Sequence, residues 1–397
     1  MTRNIVVCLT SRGNYARIGT VLHELEADPE IDLDIVVAGA SMLRKYGTLS
    51  EILREDGLEI SQELYNVIEG GNPVSSAKTT GLGIVEFTNV LSNIDPDGVV
   101  TIADRYETMA ITLSASYLNI PVLHTQGGEI TGSIDERVRH ATTKFADYHF
   151  VSTERSAEIV NRLGEYEERI FNTGCPSMDL AAEIQDIGDS MYDPQDQYGG
   201  VGSDVDVTDD YLVVQYHPVV TEYESEYDKT WELINAIDEL EVQAFWFWPN
   251  MDAGTDQVSK AIREYRNIRD PDDVRFFINL RPRDYLTLVN NSACLVGNSS
   301  VGIRECSFLG QPSVNIGDRQ KHRERAENVT DVDCETDAIR EAVREQIAVD
   351  EYSSSSLYGT GDAGEKICKR IKEIDLEMKG SMDPNLLGVS EPALPYQ

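Results

Sequence analysis

The chain has 397 residues, with 34 Lys and Arg against 70 Asp and Glu, giving a formal net charge of −36 at pH 7. That balance excludes a nucleic-acid backbone or an anionic membrane surface as the main partner, because like charges repel, and a hydrophobic content of 41% excludes global disorder. Only 10 of the basic residues are Lys and 24 are Arg; a carboxylate-rich, Lys-poor surface is what a halophilic chain needs, since molar salt shortens electrostatic screening to about 3 Å.

The first predicted element is a strand at Asn4–Leu9. Its apolar run is too short for a signal peptide, and no stretch approaches the ~20 apolar residues of a membrane span, so a soluble, cytoplasmic protein is expected. A loop at Thr10–Ala16 and a helix from about Arg17 follow. Leu33–Ala38, Gly98–Ala103, Pro121–His124 and Tyr148–Ser152 continue the series as continuous apolar strands separated by helices, the pattern of a parallel sheet covered on both faces. From Asp186 to Asp210 the sequence turns Gly/Asp-rich and reads as an acidic linker or insertion. A second series runs through Tyr211–Gln215, Gln243–Trp248, Arg275–Ile278, Ala293–Gly297 and Ser313–Ile316, and Glu365–Met378 has the pattern of an amphipathic terminal helix, with a poorly ordered tail from Gly380. The expected architecture is α/β: two Rossmann-like parallel-sheet domains facing a central cleft. They are assigned to 1–185 (sugar and acid/base side) and 211–364 (nucleotide side), with 186–210 between them and 365–397 as terminal helix and tail. Cys8, Cys175, Cys294, Cys306, Cys334 and Cys368 form no CxxC pair and read as reduced thiols.

Ligands in such sheets bind at the carboxyl ends of strands, so those turns carry the most information. Thr10–Tyr15 offers helix N–H groups and Arg12 to an anion, although an ordinary polar loop reads the same way. Asp104 and Arg105 end one strand. His124, Gln126, the glycine pair Gly127-Gly128 and Glu129 end the next, followed by Gly132-Ser133-Ile134-Asp135, in which Asp135 and Arg139, and Glu136 and His140, fall on one helical face. Carboxylates among Arg and His suit acid/base work on an anionic substrate. His124 and His140 taken singly are more ordinary core or surface residues, and no HxxxH or HExxH spacing calls for a metal. In the second series His217, Asn250, the Gly297–Glu305 turn with Ser299 and Ser300, and Arg319 stand at successive strand ends. Together they describe a nucleotide-sugar site: hydroxyls and helix N–H groups for a diphosphate, and Glu305 for ribose hydroxyls.

The ordered set Asp104-Arg105, His124-x-x-Gly127-Gly128-Glu129, Asp135 with Arg139-His140, Gly174-Cys175-Pro176-Ser177, His217-Pro218, Pro249-Asn250-Met251-Asp252-Ala253-Gly254 and Gly297-Asn298-Ser299-Ser300-x-Gly302-Ile303-Arg304-Glu305 resembles the UDP-N-acetylglucosamine 2-epimerase family, in particular its hydrolysing, sialic-acid-pathway branch, from about Ile5 to Val329. The resemblance implies a GT-B fold, no organic cofactor, and a homodimer or homotetramer. It implies loss of the C2 proton with departure of UDP to give a 2-acetamidoglucal, then addition of water to yield N-acetylmannosamine. Carried over by position, Asp104 and Asp135 become catalytic carboxylates, and His217 lies by the diphosphate as a candidate proton donor to the leaving group. Arg12, Arg105, Arg139, Ser299, Ser300 and Arg319 become substrate-binding groups, with Asn250 and Glu305 on the nucleoside. The family often has Glu where this chain has Gln126; a carboxamide does not exchange protons at neutral pH, so that role passes to Asp104, Asp135 or Glu129, with Gln126 left as a binding residue. A UDP-2,4-diacetamido sugar as substrate, a non-hydrolysing epimerase and a catalytically inactive nucleotide-sugar sensor remain as alternatives.

Overall fold

A computed structural model describes residues 2–43, 49–70, 72–132, 134–188, 191–250, 252–349 and 352–380; Ser133, Met251 and most of the expected tail lie outside them. The first sheet contains β1 (Arg3–Leu9), β2 (Ile31–Val37), β3 (Gln62–Glu63), β4 (Gly98–Ile102), β5 (Val122–Thr125), β6 (Tyr148–Val151) and β7 (Ile170–Asn172) in the order β3-β2-β1-β4-β5-β6-β7. Every pairing is parallel. Because helices cover both faces, β1 and β4 are buried along almost their whole length, which is why their apolar runs are continuous rather than alternating.

The second sheet contains β8 (Val201–Gly202), β9 (Tyr211–Gln215), β10 (Gln243–Phe247), β11 (Val274–Phe277), β12 (Cys294–Gly297), β13 (Ser313–Ile316) and β14 (Val329–Val332) in the order β14-β13-β12-β9-β10-β11-β8. Its parallel strands are joined at one edge by antiparallel β8, which lies within the segment read from sequence as linker. A short helix, Pro194–Tyr198, precedes it, with Asp193 as N-cap and Pro at the first helical position. Arg275 secures this edge by donating to the carbonyls of Gly199 and Gly202.

Two local results differ from expectation. The helix after β1 begins at Arg12, not Arg17, because Ser11 and Asn14 form a reciprocal cap and Asn14 Oδ1 also accepts from the Thr10 backbone. The terminal helix is Ala363–Glu373, and it returns to the first sheet: Ile367, Cys368 and Ile371 are buried beside Leu22, Leu25 and Val7. Arg3 closes it by donating to the carbonyls of Ile371 (2.6 Å) and Ile374 (2.5 Å). All six cysteines are free thiols. No helix among the described residues is long and apolar enough to cross a membrane.

Candidate active site

The carboxyl ends of both sheets face one cavity of about 860 Å³. Arg12, Arg105, His217, Asn250, Ser299, Ser300, Glu305 and Arg319 all line it. Arg17 lines it too, as do the aromatic rings of Phe247, Trp248 and Tyr285. Asp104, Gln126, Glu129, Asp135 and Arg139 lie off that lining.

The turn after β12 shows why its sequence is so restricted. Gly297 has φ +146°, and a Cβ there would sit 2.0 Å from the Gln215 carbonyl. Asn298 then ties β12 to β9, accepting from the His217 N–H (2.7 Å) and donating to the His217 carbonyl (2.8 Å). Ser299 caps the following turn, and Arg319 donates to the Asn298 carbonyl at 3.0 Å. Glu305 is buried, and its Oε2 has no hydrogen-bond partner among the described residues, an acceptor left open at the cavity wall.

His217 has a defined tautomer. The Asn250 N–H donates to Nδ1 at 3.2 Å, so the ring proton of the neutral imidazole is on Nε2. Burial, followed by Arg319, Arg17 and Arg105, pushes its pKa well below the usual value. His217 is therefore a neutral N–H donor until a bound anion offsets those arginines.

Off the cavity lies a buried ionic cluster spanning the two sheets. Asp104 is bonded to Arg139, with Arg17 at 3.6 Å and Arg323 at 3.9 Å. Glu129 accepts from Arg304 through both oxygens, at 2.8 and 2.6 Å, and forms an ion pair with Arg323, whose Nε lies 2.8 Å away without hydrogen-bond geometry. Arg139 also donates to the Glu129 carbonyl at 2.5 Å. Four guanidiniums thus surround two carboxylates, leaving local positive charge in a chain of net −36. Burial raises the Asp104 carboxyl, but Arg139, Arg17 and Arg323 outweigh it and hold it far below the usual carboxylate range. Burial also raises Glu129, yet Arg304, Arg323 and Arg139 bring it down to about 2.

The backbone delivering these groups is strained. Ala103 and Gln126, at the ends of β4 and β5, have φ of 52° and 60°, in the left-handed region that costs a non-glycine residue roughly 1–2 kcal/mol. His124 supports the first turn: it is fully buried, its Nε2 donates to the Ala103 carbonyl (2.8 Å), and Nδ1 accepts from Thr143 (3.2 Å). Burial lowers its pKa to about 3, so it stays neutral. The Gln126 amide uses both ends, donating to the Arg17 carbonyl (3.3 Å) and accepting from Arg304 (3.2 Å). A glutamate could not make the first bond.

Asp135 differs from its neighbours. Burial and the carboxylates of Asp104 and Asp252 raise its pKa to about 6, against the pull of Arg319 and Arg105. Because the folded value lies above the unfolded one, its contribution to stability is full below about pH 4 and is lost as pH rises through 6. Asp135→Asn is expected to melt at a higher temperature than the parent at pH 7.5 and at a similar one at pH 4, while losing activity. Thermal melts at both pH values check this; equal melting temperatures at pH 7.5 would remove the strained carboxylate. Arg105, between Glu107 (3.2 Å) and Asp252 (3.3 Å), joins this acidic group to the second sheet.

Sequence reasoning missed Arg17, Arg304 and Arg323 as site residues. Arg304 stood inside a quoted motif, but its partner Glu129 is 175 residues away. Arg17 was placed at the start of a helix that begins a turn earlier. Nothing in the sequence around Arg323 signals its role.

Comparison with known proteins agrees with this geometry. The sequence profile of the family described as UDP-N-acetylglucosamine 2-epimerase matches residues 23–372. A Legionella pneumophila protein described as UDP-N,N'-diacetylbacillosamine 2-epimerase (hydrolyzing) is 35% identical over 376 residues, covering 95% of this chain and 97% of the relative. A Neisseria meningitidis UDP-N-acetylglucosamine 2-epimerase is 27% identical over 370 residues, covering 90% and 91%. The crystal structure of a UDP-GlcNAc 2-epimerase from Neisseria meningitidis bound to UDP-GlcNAc superposes with TM-score 0.76 at 18% identity, covering 94% of this chain and all of that one, and supports the GT-B architecture. The two facing sheets, the shared cleft and the profile match together show that this chain is an enzyme fold of known descent: it belongs to the UDP-N-acetylglucosamine 2-epimerase family.

Proposed function

We propose that the chain is a hydrolysing 2-epimerase acting on a UDP-2,4-diacetamido sugar, releasing UDP and the free sugar inverted at C2. The observation that carries this is the 35% identity, over nearly the whole of both chains, with a relative described as a hydrolysing diacetylbacillosamine 2-epimerase. This moves the substrate away from UDP-N-acetylglucosamine and a sialic-acid role, the first expectation from sequence. UDP-N-acetylglucosamine stays as the second reading because of the 27% identical relative described by that substrate.

The chemistry divides between the cavity wall and the buried cluster that Arg17 joins to it. In the first step a carboxylate takes the C2 proton, the C–H electron pair forms the C1=C2 bond, and the C1–O bond breaks as UDP leaves with its pair. In the second, a proton is added to C2 from the opposite face and water adds its hydroxyl at C1. Asp104 is assigned the proton abstraction, since its arginines keep it ionised. Asp135, with a pKa raised to about 6, is assigned the return of a proton, as such a group gives and takes protons near neutral pH. Arg12, Arg105 and Arg319, with the Ser299–Ser300 turn, are assigned to the charge that develops on the diphosphate. His217, neutral with its proton on Nε2, is assigned a hydrogen bond from Nε2–H to the leaving oxygen. Asn250 and Glu305 are assigned to the nucleoside. Glu129, enclosed by two arginines of the second half, is assigned to holding the cluster rather than to proton transfer.

Proton NMR in D₂O, at low and high KCl, tests the reading with both UDP-sugars supplied separately. Free UDP and a C2-deuterated free sugar, formed at least about tenfold faster from the diacetamido substrate, are the expected result. Faster turnover of UDP-N-acetylglucosamine would transfer the assignment to the second reading, and a UDP-linked epimer as product would overturn hydrolysis. Activity confined to high KCl is the result expected of a halophilic chain.

A further inference from the structure

The turn after β10 serves both halves of the molecule. Its Asn250 N–H fixes the His217 tautomer within the second half. Two residues on, the Asp252 carboxylate reaches the first half, where Oδ1 lies 3.3 Å from Arg105 Nη1 and only 15% and 16% of the two side chains are exposed. The turn that aims it is braced. Thr255 Oγ1 accepts the Asp252 N–H (3.0 Å) and bonds the Asn250 carbonyl. Gly254, at φ +99°, packs so tightly on the His217-Pro218 turn that a Cβ there would meet Pro218 Cβ at 2.9 Å.

Arg105 already has a partner of its own. Its Nε meets the buried Glu107 carboxylate at 3.2 Å, from the first turn of the adjoining helix Tyr106–Tyr117. Charge balance around Arg105 is therefore complete without Asp252. One cation between two carboxylates leaves an excess of negative charge, and the group that feels it is Asp135, in the first turn of the helix Ile134–Phe145. Four charged side chains of other elements face Asp135: Asp104 and Arg105 at the end of β4, and Asp252 and Arg319 from the second half. Arg139, one turn along its own helix, is taken up by Asp104. Asp104 and Asp252 favour the protonated form of Asp135, and each acts more strongly than Arg319 or Arg105.

We infer that Asp252 is a positioning residue for proton transfer: from the second half, through its negative charge and its hold on Arg105, it keeps Asp135 of the first half protonated. The inference rests on the assignment of Asp135 to the return of the proton. Its two actions have the same sign. A like charge nearby makes ionising Asp135 more costly, and pairing with Arg105 offsets part of a positive charge that pulls the other way.

A pH profile of kcat on the full chain tests this, with whichever of the two UDP-sugars turns over faster. Asp252→Asn keeps the shape and an oxygen for Arg105 while removing the charge. Its alkaline limb is expected to move to lower pH by roughly half a unit or more. At pH 7.5 that lowers kcat about threefold or more, with a much smaller change near pH 5. Asp252→Glu, which keeps the charge, is expected to keep the parent's limb. A merely structural role would lower kcat by one factor at every pH and leave the limb in place. An unshifted limb in a cooperatively melting Asp252→Asn variant, or a limb moved as far in Asp252→Glu, would overturn the inference. Asp135→Asn separates the two levels. If it keeps the parent's rate and limb, the assignment of Asp135 falls and this inference with it; if it is inactive while Asp252→Asn shows no shift, the inference alone falls.

Discussion

Asp104→Asn is expected to lower kcat at least about 10³-fold, within the range that a positioned general base contributes, and to stop deuterium incorporation at C2. UDP affinity is expected to change much less, because Arg12, Glu305 and Arg319 line the cavity on other elements. The variant preserves shape but removes the negative charge on which Arg139, Arg17 and Arg323 converge. It also removes a carboxylate that raises Asp135, so the residual activity should show its alkaline limb, set by protonated Asp135, at lower pH. Single-turnover assays, UDP titration and a pH–rate profile separate these effects. A kcat within tenfold of the parent, in a variant that still binds UDP and melts cooperatively, would reassign proton abstraction to another group.

Glu129→Gln is expected to destabilise the protein by about 3–5 kcal/mol, the usual cost of removing one partner from a buried ionic contact. The reason is the count around it: with Glu129 neutral, Arg304 and Arg323 remain buried beside Arg139 and Arg17 with Asp104 as the one carboxylate of the cluster. Because Arg304 and Arg323 come from the second half and Glu129 from the first, the loss should fall first on the docking of the two halves. Limited proteolysis is therefore expected to cut the 186–210 segment faster in the variant. Its carboxyl is held near 2, so the parent's stability from this contact is present above about pH 4.5 and is lost as pH falls toward 2. Urea unfolding at pH 7 and pH 3 checks both statements; a difference below about 1 kcal/mol at pH 7 would mean that Glu129 does not hold the cluster.

The fold was legible because of where the strands lie. β9 and β13 have the bounds expected from sequence, since strands buried on both faces leave unbroken apolar runs between polar turns. Antiparallel β8 was not legible: two residues of an exposed edge strand need no apolar pattern. The cavity wall was readable as motifs because a tight turn that presents N–H groups at a helix start demands small residues, as at Gly297–Ser300. The ionic cluster was readable only in part. Asp104, Glu129 and Arg139 stood at strand ends or on a helix face, whereas Arg17 and Arg323 pair through space with residues distant in the chain. No local rule of spacing marks such pairs.

The return of the Ala363–Glu373 helix to the first sheet affects the order in which the chain is made. Ile367, Cys368 and Ile371 complete a core whose other members begin at Ile5, so that core closes only once the chain has been made past Ile371. The polypeptide also passes twice between the halves, once near 188–210 and once before Ala363. Two tethers favour a swing about the line joining them over a twist between the halves. Any opening of the cleft is then expected as a door-like motion, with the cross-sheet arginine contacts at Glu129 as its latch.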